Sequence, residues 1–175
     1  MAPTHHPVVA AAPPLIVVMG PSATGKSTVG AALAAALGVP FIDGDDLHPA
    51  ENVAKMAAGV PLEDADRWPW LDRVGRTLDD AAAGGGAVVA CSALKRAYRD
   101  RIRAAAPGAR CVELAISEEE ALRRSSARAS HFMPPALVAS QFATLEPLAP
   151  DEPGVRVDAT QPVARIVESA LASLV

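Results

Sequence analysis

Gly20-Pro21-Ser22-Ala23-Thr24-Gly25-Lys26-Ser27 places two glycines, a lysine and a hydroxyl in the spacing Gly-x-x-x-x-Gly-Lys-Ser. Glycine backbones can turn successive N–H groups inward, and the start of a following helix adds unpaired donors and partial positive charge. A loop of this kind cradles a nucleoside triphosphate: Lys26 reaches the β- and γ-phosphates, and the Ser27 hydroxyl ligates Mg²⁺. A glycine turn ahead of a helix need not bind anything. The complete motif between an apolar run, Leu15–Met19, and an Ala- and Leu-rich run, Lys26–Leu37, is what gives the phosphate reading physical content.

A second group of reactive side chains follows. Val39–Asp43 reads as a strand that ends in Asp43-Gly44-Asp45-Asp46. Ligands collect at the carboxyl ends of parallel strands, so Asp43 and Asp45 are expected to face the same phosphates. Phosphoryl transfer needs a carboxylate to orient and deprotonate the attacking hydroxyl, and another often holds the water shell of Mg²⁺. Asp45 is the candidate base, and Asp43 the candidate metal residue acting through water. Asp46 suits a helix cap, and capping is the plain alternative for the whole acidic run. His48 taken alone is as well explained as a cap or surface residue. The run Val88–Cys91 ends without an acid, whereas motors and switch GTPases hold Mg²⁺ with an Asp at such a strand end. Small-metabolite kinases are left.

The elements that must position these groups are legible from periodicity. Strands are expected at Leu15–Met19, Val39–Asp43, Ala87–Cys91, Arg110–Ile116 and Val155–Asp158. Helices are expected at Lys26–Leu37, Pro49–Ala58, Asp64–Ala83, Ser92 to about Ala106, Glu118 to about Ala129, Pro135–Leu145 and Pro162–Leu174, with Pro69 marking the start or a kink of the third. Alternating strands and helices imply right-handed crossovers and parallel pairing. The expected fold class is α/β: a three-layer α/β/α domain around a parallel sheet of about five strands. At 175 residues the chain suits one domain over residues 15–175, behind a loose, Pro-rich tail over residues 1–14. Half the residues are hydrophobic but only 3% are aromatic, so Ala, Val and Leu build the core. A net charge of −4 argues against nucleic acid as a partner. No apolar run reaches membrane-spanning length, and no basic signal segment opens the chain. Cys91 and Cys111 show no metal or disulfide spacing, which fits reduced thiols in a cytoplasmic protein.

The motifs together resemble the gluconate kinases of the short P-loop type. The resemblance is carried by GPSATGKS, by FIDGDDLHP with ENVAKMAAGVPLEDADRWPWL, by CSALKRAYRDRIR and by HFMPPALVASQFATLEP, and covers nearly all of the chain from Leu15. It implies a soluble, Mg²⁺-dependent, usually dimeric enzyme that uses ATP to phosphorylate the 6-hydroxyl of D-gluconate. It further implies that Gly20 to Ser27 with Thr28 hold the triphosphate, and that Asp45, His48, Arg67 and Lys95 surround the sugar acid. Arg124 and Arg128 match a mobile lid, about residues 123–135, whose arginines close over ATP. Gln161 and Pro162 fall where related kinases pass a loop beside adenine. The lid departs from the family pattern at Ala129-Ser130, where members carry a basic residue and glycine.

The chemistry of gluconate agrees with that carry-over. One carboxylate and five hydroxyls call for a forked arginine and hydrogen-bonding groups rather than aromatics. Arg67, after Glu63, Asp64 and Asp66, is placed to be that arginine, although a salt-bridged arginine at a helix start would look the same. Lys95 at a helix N-terminus opposes the dipole, which favours an anion as its partner over bare solvation. Shikimate kinase shares paired acids and an arginine near Arg67, but carries its glycine run after the third strand, whereas Gly84-Gly85-Gly86 precede it here. A regulator that binds nucleotide without catalysis would have no use for a base beside Lys26.

Overall fold

In the first strand, β1 (Leu15–Met19), Leu15, Val17 and Met19 turn to one face of a sheet and Ile16 and Val18 to the other, and all five are buried. A strand apolar on both faces belongs in the middle of a covered parallel sheet, and β1 sits there. The structure is a computed structural model that describes residues 11–127 and 134–174. After β1 come α1 (Lys26–Leu37), β2 (Phe41–Asp43), a 3₁₀ turn (Gly44–Leu47), α2 (Ala50–Ala57) and α3 (Asp64–Ala82). Then follow β3 (Ala87–Ala90), α4 (Arg96–Ala105), β4 (Arg110–Ala115), α5 (Glu118–Ala127), α6 (Pro135–Thr144), β5 (Gly154–Asp158) and α7 (Val163–Leu174).

The strands run parallel in the order β2-β3-β1-β4-β5. On one face α3 and α4 pack through Leu71, Val74, Leu78, Tyr98 and Ile102; on the other, α1 and α7 pack through Val29, Leu33, Ile166 and Val167. Burying each such aliphatic side chain stabilises the fold by about 1.5–3 kcal/mol. The α3–α4 contact is close enough to require Gly75, where a Cβ would stand 2.8 Å from the Ala105 Cβ. Register then aligns the strand ends: Asp43 lies opposite Ala90, and Ala90 opposite Val18. The phosphate loop, the acidic turn and the segment after β3 therefore meet at the carboxyl-terminal end of the sheet.

Two expectations about elements need correction. Ser92 to Lys95 is not helical, and α4 begins only at Arg96. The carbonyls there are already engaged: Ser92 O accepts the Gly20 N–H at 3.2 Å, Leu94 O accepts the Glu146 N–H at 2.8 Å, and Arg99 Nη1 donates to Ala93 O at 2.9 Å. Nor does Pro69 mark the start of α3, which begins at Asp64. Asp66 Oδ2 accepts the Glu63 N–H at 2.9 Å, the reach-back half of a capping box, and sets the start ahead of the proline. Most of the expected tail, residues 1–10, lies outside the described residues, as do residues 128–133 of the expected lid.

Candidate active site

The phosphate loop takes the backbone angles its glycines permit. Gly20 and Gly25 have φ of 147° and 93°, and Ala23 between them is also left-handed at 65°. Thr24 Oγ1 and Lys26 Nζ both donate to Pro21 O, at 2.8 and 2.9 Å, which ties the loop's rim to its base. The first turn of α1 contains no acid, and its first helical bond runs from the Val29 N–H to Gly25 O. The first N–H groups of an α-helix have no carbonyl partner within it, and a terminus of this kind attracts anions.

Beside the loop opens a cleft of about 620 Å³, lined by Ser22, Lys26, Ser27, Asp43, Asp45, His48 and Arg67 among others. The acidic turn owes its shape to two constraints. Asp43 Oδ1 accepts the Asp45 N–H at 3.0 Å, folding the chain back at the strand end. Gly44 then passes so close to β3 that a Cβ would lie 2.3 Å from Ala90 O, so only glycine fits. Asp45 keeps contact with solvent, yet the cleft walls strip water from its carboxylate. That desolvation, with the negative charges of Asp43 and Asp46, raises its pKa against the opposing pull of Lys26. A carboxylate with a raised pKa beside a phosphate lysine is suited to take up a proton.

His48 is fixed from two sides. Its ring stacks on Trp70 at 4.1 Å between centroids, and Nδ1 lies 3.2 Å from Asn52 Nδ2. Trp70 in turn donates Nε1–H to Gly44 O at 2.8 Å. Burial, with Arg67 nearby, lowers the His48 pKa to about 4. The imidazole is thus neutral at pH 7; with Nδ1 accepting from Asn52, Nε2 carries the hydrogen.

Arg67 and Lys95 come together around one carboxylate. Arg67 Nη1 donates to Asp64 Oδ1 at 3.4 Å, and Lys95 Nζ lies 3.6 Å from Asp64 Oδ2. Both cations also stand 5.6 Å from the centre of the Tyr98 ring. Lys95 caps α4 by position without a side-chain cap bond, and its charge faces Asp64.

The remaining expected residues gather elsewhere. Arg124 Nη2 donates to Ala159 O at 2.8 Å, which joins α5 to the loop holding Gln161 and Pro162. Asp158 shapes that loop by accepting the Thr160 N–H at 2.9 Å. Neither Arg124 nor this loop lines the cleft. Arg128 lies outside the described residues.

Sequence reasoning missed Asp64, Tyr98, Trp70 and Gln141 as site residues, and it missed the burial of Arg99. Lys95, Arg96, Arg99, Arg101 and Arg103 crowd one segment, and such a run reads by itself as a solvated helix face. In the fold the Arg99 side chain is fully buried, bonded through Nε and Nη2 to both Glu152 oxygens at 2.8 and 2.9 Å. The available signal was its place beside Tyr98 and three before Ile102, on the buried face of α4.

Similarity to known proteins accords with this geometry. A family model described as an AAA domain matches residues 15–148. The gluconokinase of Gluconobacter oxydans is 47% identical over 154 residues, spanning 87% of this chain and 86% of its own. The thermosensitive gluconokinase of Escherichia coli is 43% identical over 158 residues, spanning 87% and 82%. The chain belongs to the gluconokinase family. A crystal structure of a gluconokinase from Sinorhizobium meliloti shares its fold with a TM-score of 0.82 at 50% identity, covering 93% of this chain and 92% of that one. The three-layer α/β P-loop kinase fold is therefore established, and the chain is an enzyme of the kinase class. Among the described residues, no helix is long and apolar enough to cross a membrane.

Proposed function

We propose that this cleft transfers the γ-phosphoryl group of ATP to the 6-hydroxyl of D-gluconate, giving 6-phospho-D-gluconate. The observation that carries the reading is Lys26, Asp45 and Arg67 lining one cleft, with Lys95, itself outside the lining, joined to Arg67 as a cation pair through Asp64. Lys26 and Asp45 suit phosphoryl transfer to a hydroxyl. The cation pair suits a substrate that carries a carboxylate.

In this reading the loop amides and Lys26 hold the triphosphate and stabilise charge on the moving phosphoryl oxygens. Asp45 orients the 6-hydroxyl and accepts its proton as the new O–P bond forms and the bond to ADP breaks. Arg67 and Lys95 grip the carboxylate, while neutral His48 donates a hydrogen bond to the polyol from Nε2. The Ser27 hydroxyl and the Asp43 carboxylate line the same cleft. They fit Mg²⁺, which takes one or two protein oxygens beside phosphate oxygens and waters. When bound, the ion neutralises charge across the β- and γ-phosphates.

A coupled assay of ADP release with ATP and a panel of acceptors tests the proposal. D-gluconate should give the highest kcat/KM, well above shikimate and above glucitol, which has the hydroxyls but no carboxylate. Equal turnover of glucitol would remove the role assigned to the cation pair.

A further inference from the structure

Gln141, on α6, reaches the phosphate loop from outside it. Its Oε1 accepts the Ser22 N–H at 2.6 Å, across a sequence separation of 119 residues. A backbone N–H can only donate, so the oxygen of the amide must face Ser22 and the nitrogen must face away. Gln141 lines the cleft shared with Lys26 and Asp45, and its Nε2 has no partner among the described residues.

The side chain is also held in register. Five residues on, the Glu146 N–H donates to Leu94 O at 2.8 Å, and Glu146 Oε1 accepts the Arg96 N–H at 2.9 Å. The end of α6 is thereby pinned to the segment after β3, whose Ser92 O holds the Gly20 N–H. A planar amide fixed at one end, with two N–H bonds at the other, is a preorganised donor within that cleft.

We propose that Gln141 is a catalytic residue of the phosphoryl transfer. Its Nε2–H₂ donates to the oxygens of the γ-phosphoryl group as that group leaves ADP for the acceptor hydroxyl, and its Oε1 remains anchored on Ser22. The inference rests on the kinase reading above and adds a donor from α6 to those of the phosphate loop.

Gln141→Glu and Gln141→Ala separate this role from a structural one. Glu keeps an oxygen for the Ser22 N–H but turns a negative charge towards the phosphates; Ala removes both interactions. Thermal melting first establishes that each variant is folded, and wild type is assayed alongside with ATP and D-gluconate. A catalytic donor predicts a kcat loss of roughly 10²-fold for Ala, the scale of removing one transition-state donor, and a larger loss for Glu. The KM for D-gluconate should change little. Titration with Mg·ADP, then with Mg·ADP, aluminium fluoride and D-gluconate, gives a reading that does not depend on turnover. The variants should bind ADP as wild type does but lose the extra affinity conferred by the phosphoryl mimic. Near-wild-type kcat in Gln141→Glu would overturn the inference and leave Gln141 as a prop for the loop. Near-wild-type kcat in Gln141→Ala would overturn it as well. Failure of wild type itself to phosphorylate D-gluconate would strike the functional reading instead.

Discussion

Tyr98 donates its hydroxyl to Asp64 Oδ1 at 2.5 Å, and this bond organises the cationic part of the cleft. The bond from Tyr98 is the main cause that lowers the Asp64 pKa; burial opposes it, and Lys95 and Arg67 assist. Tyr98 is pushed the other way, up to about 12, by burial and by that same carboxylate. Near neutral pH a phenol donor and an ionised acid therefore hold Arg67 and Lys95 in place.

Arg67→Lys should raise the KM for D-gluconate although the charge is kept, because an ammonium group cannot make a forked contact to a carboxylate. Losing one charge-assisted hydrogen bond, about 1.5–3 kcal/mol, corresponds to roughly 10- to 100-fold in binding. Asp64→Asn should act in the same direction. Steady-state kinetics should show the ATP KM little changed in both variants. An equal rise in both KM values would make Arg67 a general organiser of the site and not a carboxylate clamp.

Asp45→Asn should lower kcat by about 10² to 10⁴-fold, the usual range for removing a general base, while nucleotide affinity is retained. The raised pKa of Asp45 fixes the sign of two pH effects. Wild-type turnover should fall on the acid side as the carboxylate protonates above its ordinary 3.8. The folded state also binds this proton more tightly than the unfolded chain, so Asp45 costs stability once the pH exceeds its folded pKa. The Asn variant should accordingly melt higher than wild type at neutral pH. A lower melting temperature would contradict the environment described for Asp45.

Lys26→Met should abolish detectable transfer and leave the fold intact. The loop's shape rests on backbone angles and on the Thr24 bond to Pro21, and the Lys26 contact to the same carbonyl is replaceable. Circular dichroism and ADP release on one sample check both halves. Substantial turnover in a folded variant would move catalysis away from this loop.

Glu152→Gln should destabilise the protein by about 3–5 kcal/mol at neutral pH, since it leaves Arg99 buried with its charge uncompensated. Burial acts against the Glu152 charge, but bonds from Arg99, the Ala149 N–H and Arg103 outweigh it and hold the carboxyl near 2. A depressed carboxylate stabilises the fold above its unfolded pKa, and that stabilisation is lost as pH falls from 4.5 to about 2. The gap between wild type and variant in urea unfolding should narrow across that window. A constant gap would mean that the Glu152 charge contributes nothing.

Local signals make much of this structure legible in the sequence. β1 and the phosphate loop were readable because a doubly buried strand, two glycines and a helix start are all written in consecutive residues. Asp43 and Asp45 were readable because a strand end places them, although the tightness of the turn depends on Gly44 meeting β3, which no local pattern records. The residues that escaped depend on contacts between distant segments. Arg99 meets a partner 53 residues away, and Gln141 meets the phosphate loop across 119. Ser92 to Lys95 looked helical because its residue types permit a helix; its carbonyls are taken by the phosphate loop, by Glu146 and by Arg99. Sequence shows what a segment prefers by itself, and these positions are settled by what packs against them.

The most direct measurement is the position of the phosphate on the product. ATP and ¹³C-labelled D-gluconate are incubated with the protein, and the ester is located from ³¹P–¹³C coupling in the NMR spectrum. A single ester is expected on the oxygen of C6, at the opposite end of the molecule from the carboxylate proposed to meet Arg67 and Lys95. An ester at another carbon, or ATP hydrolysis with no ester formed, would contradict it.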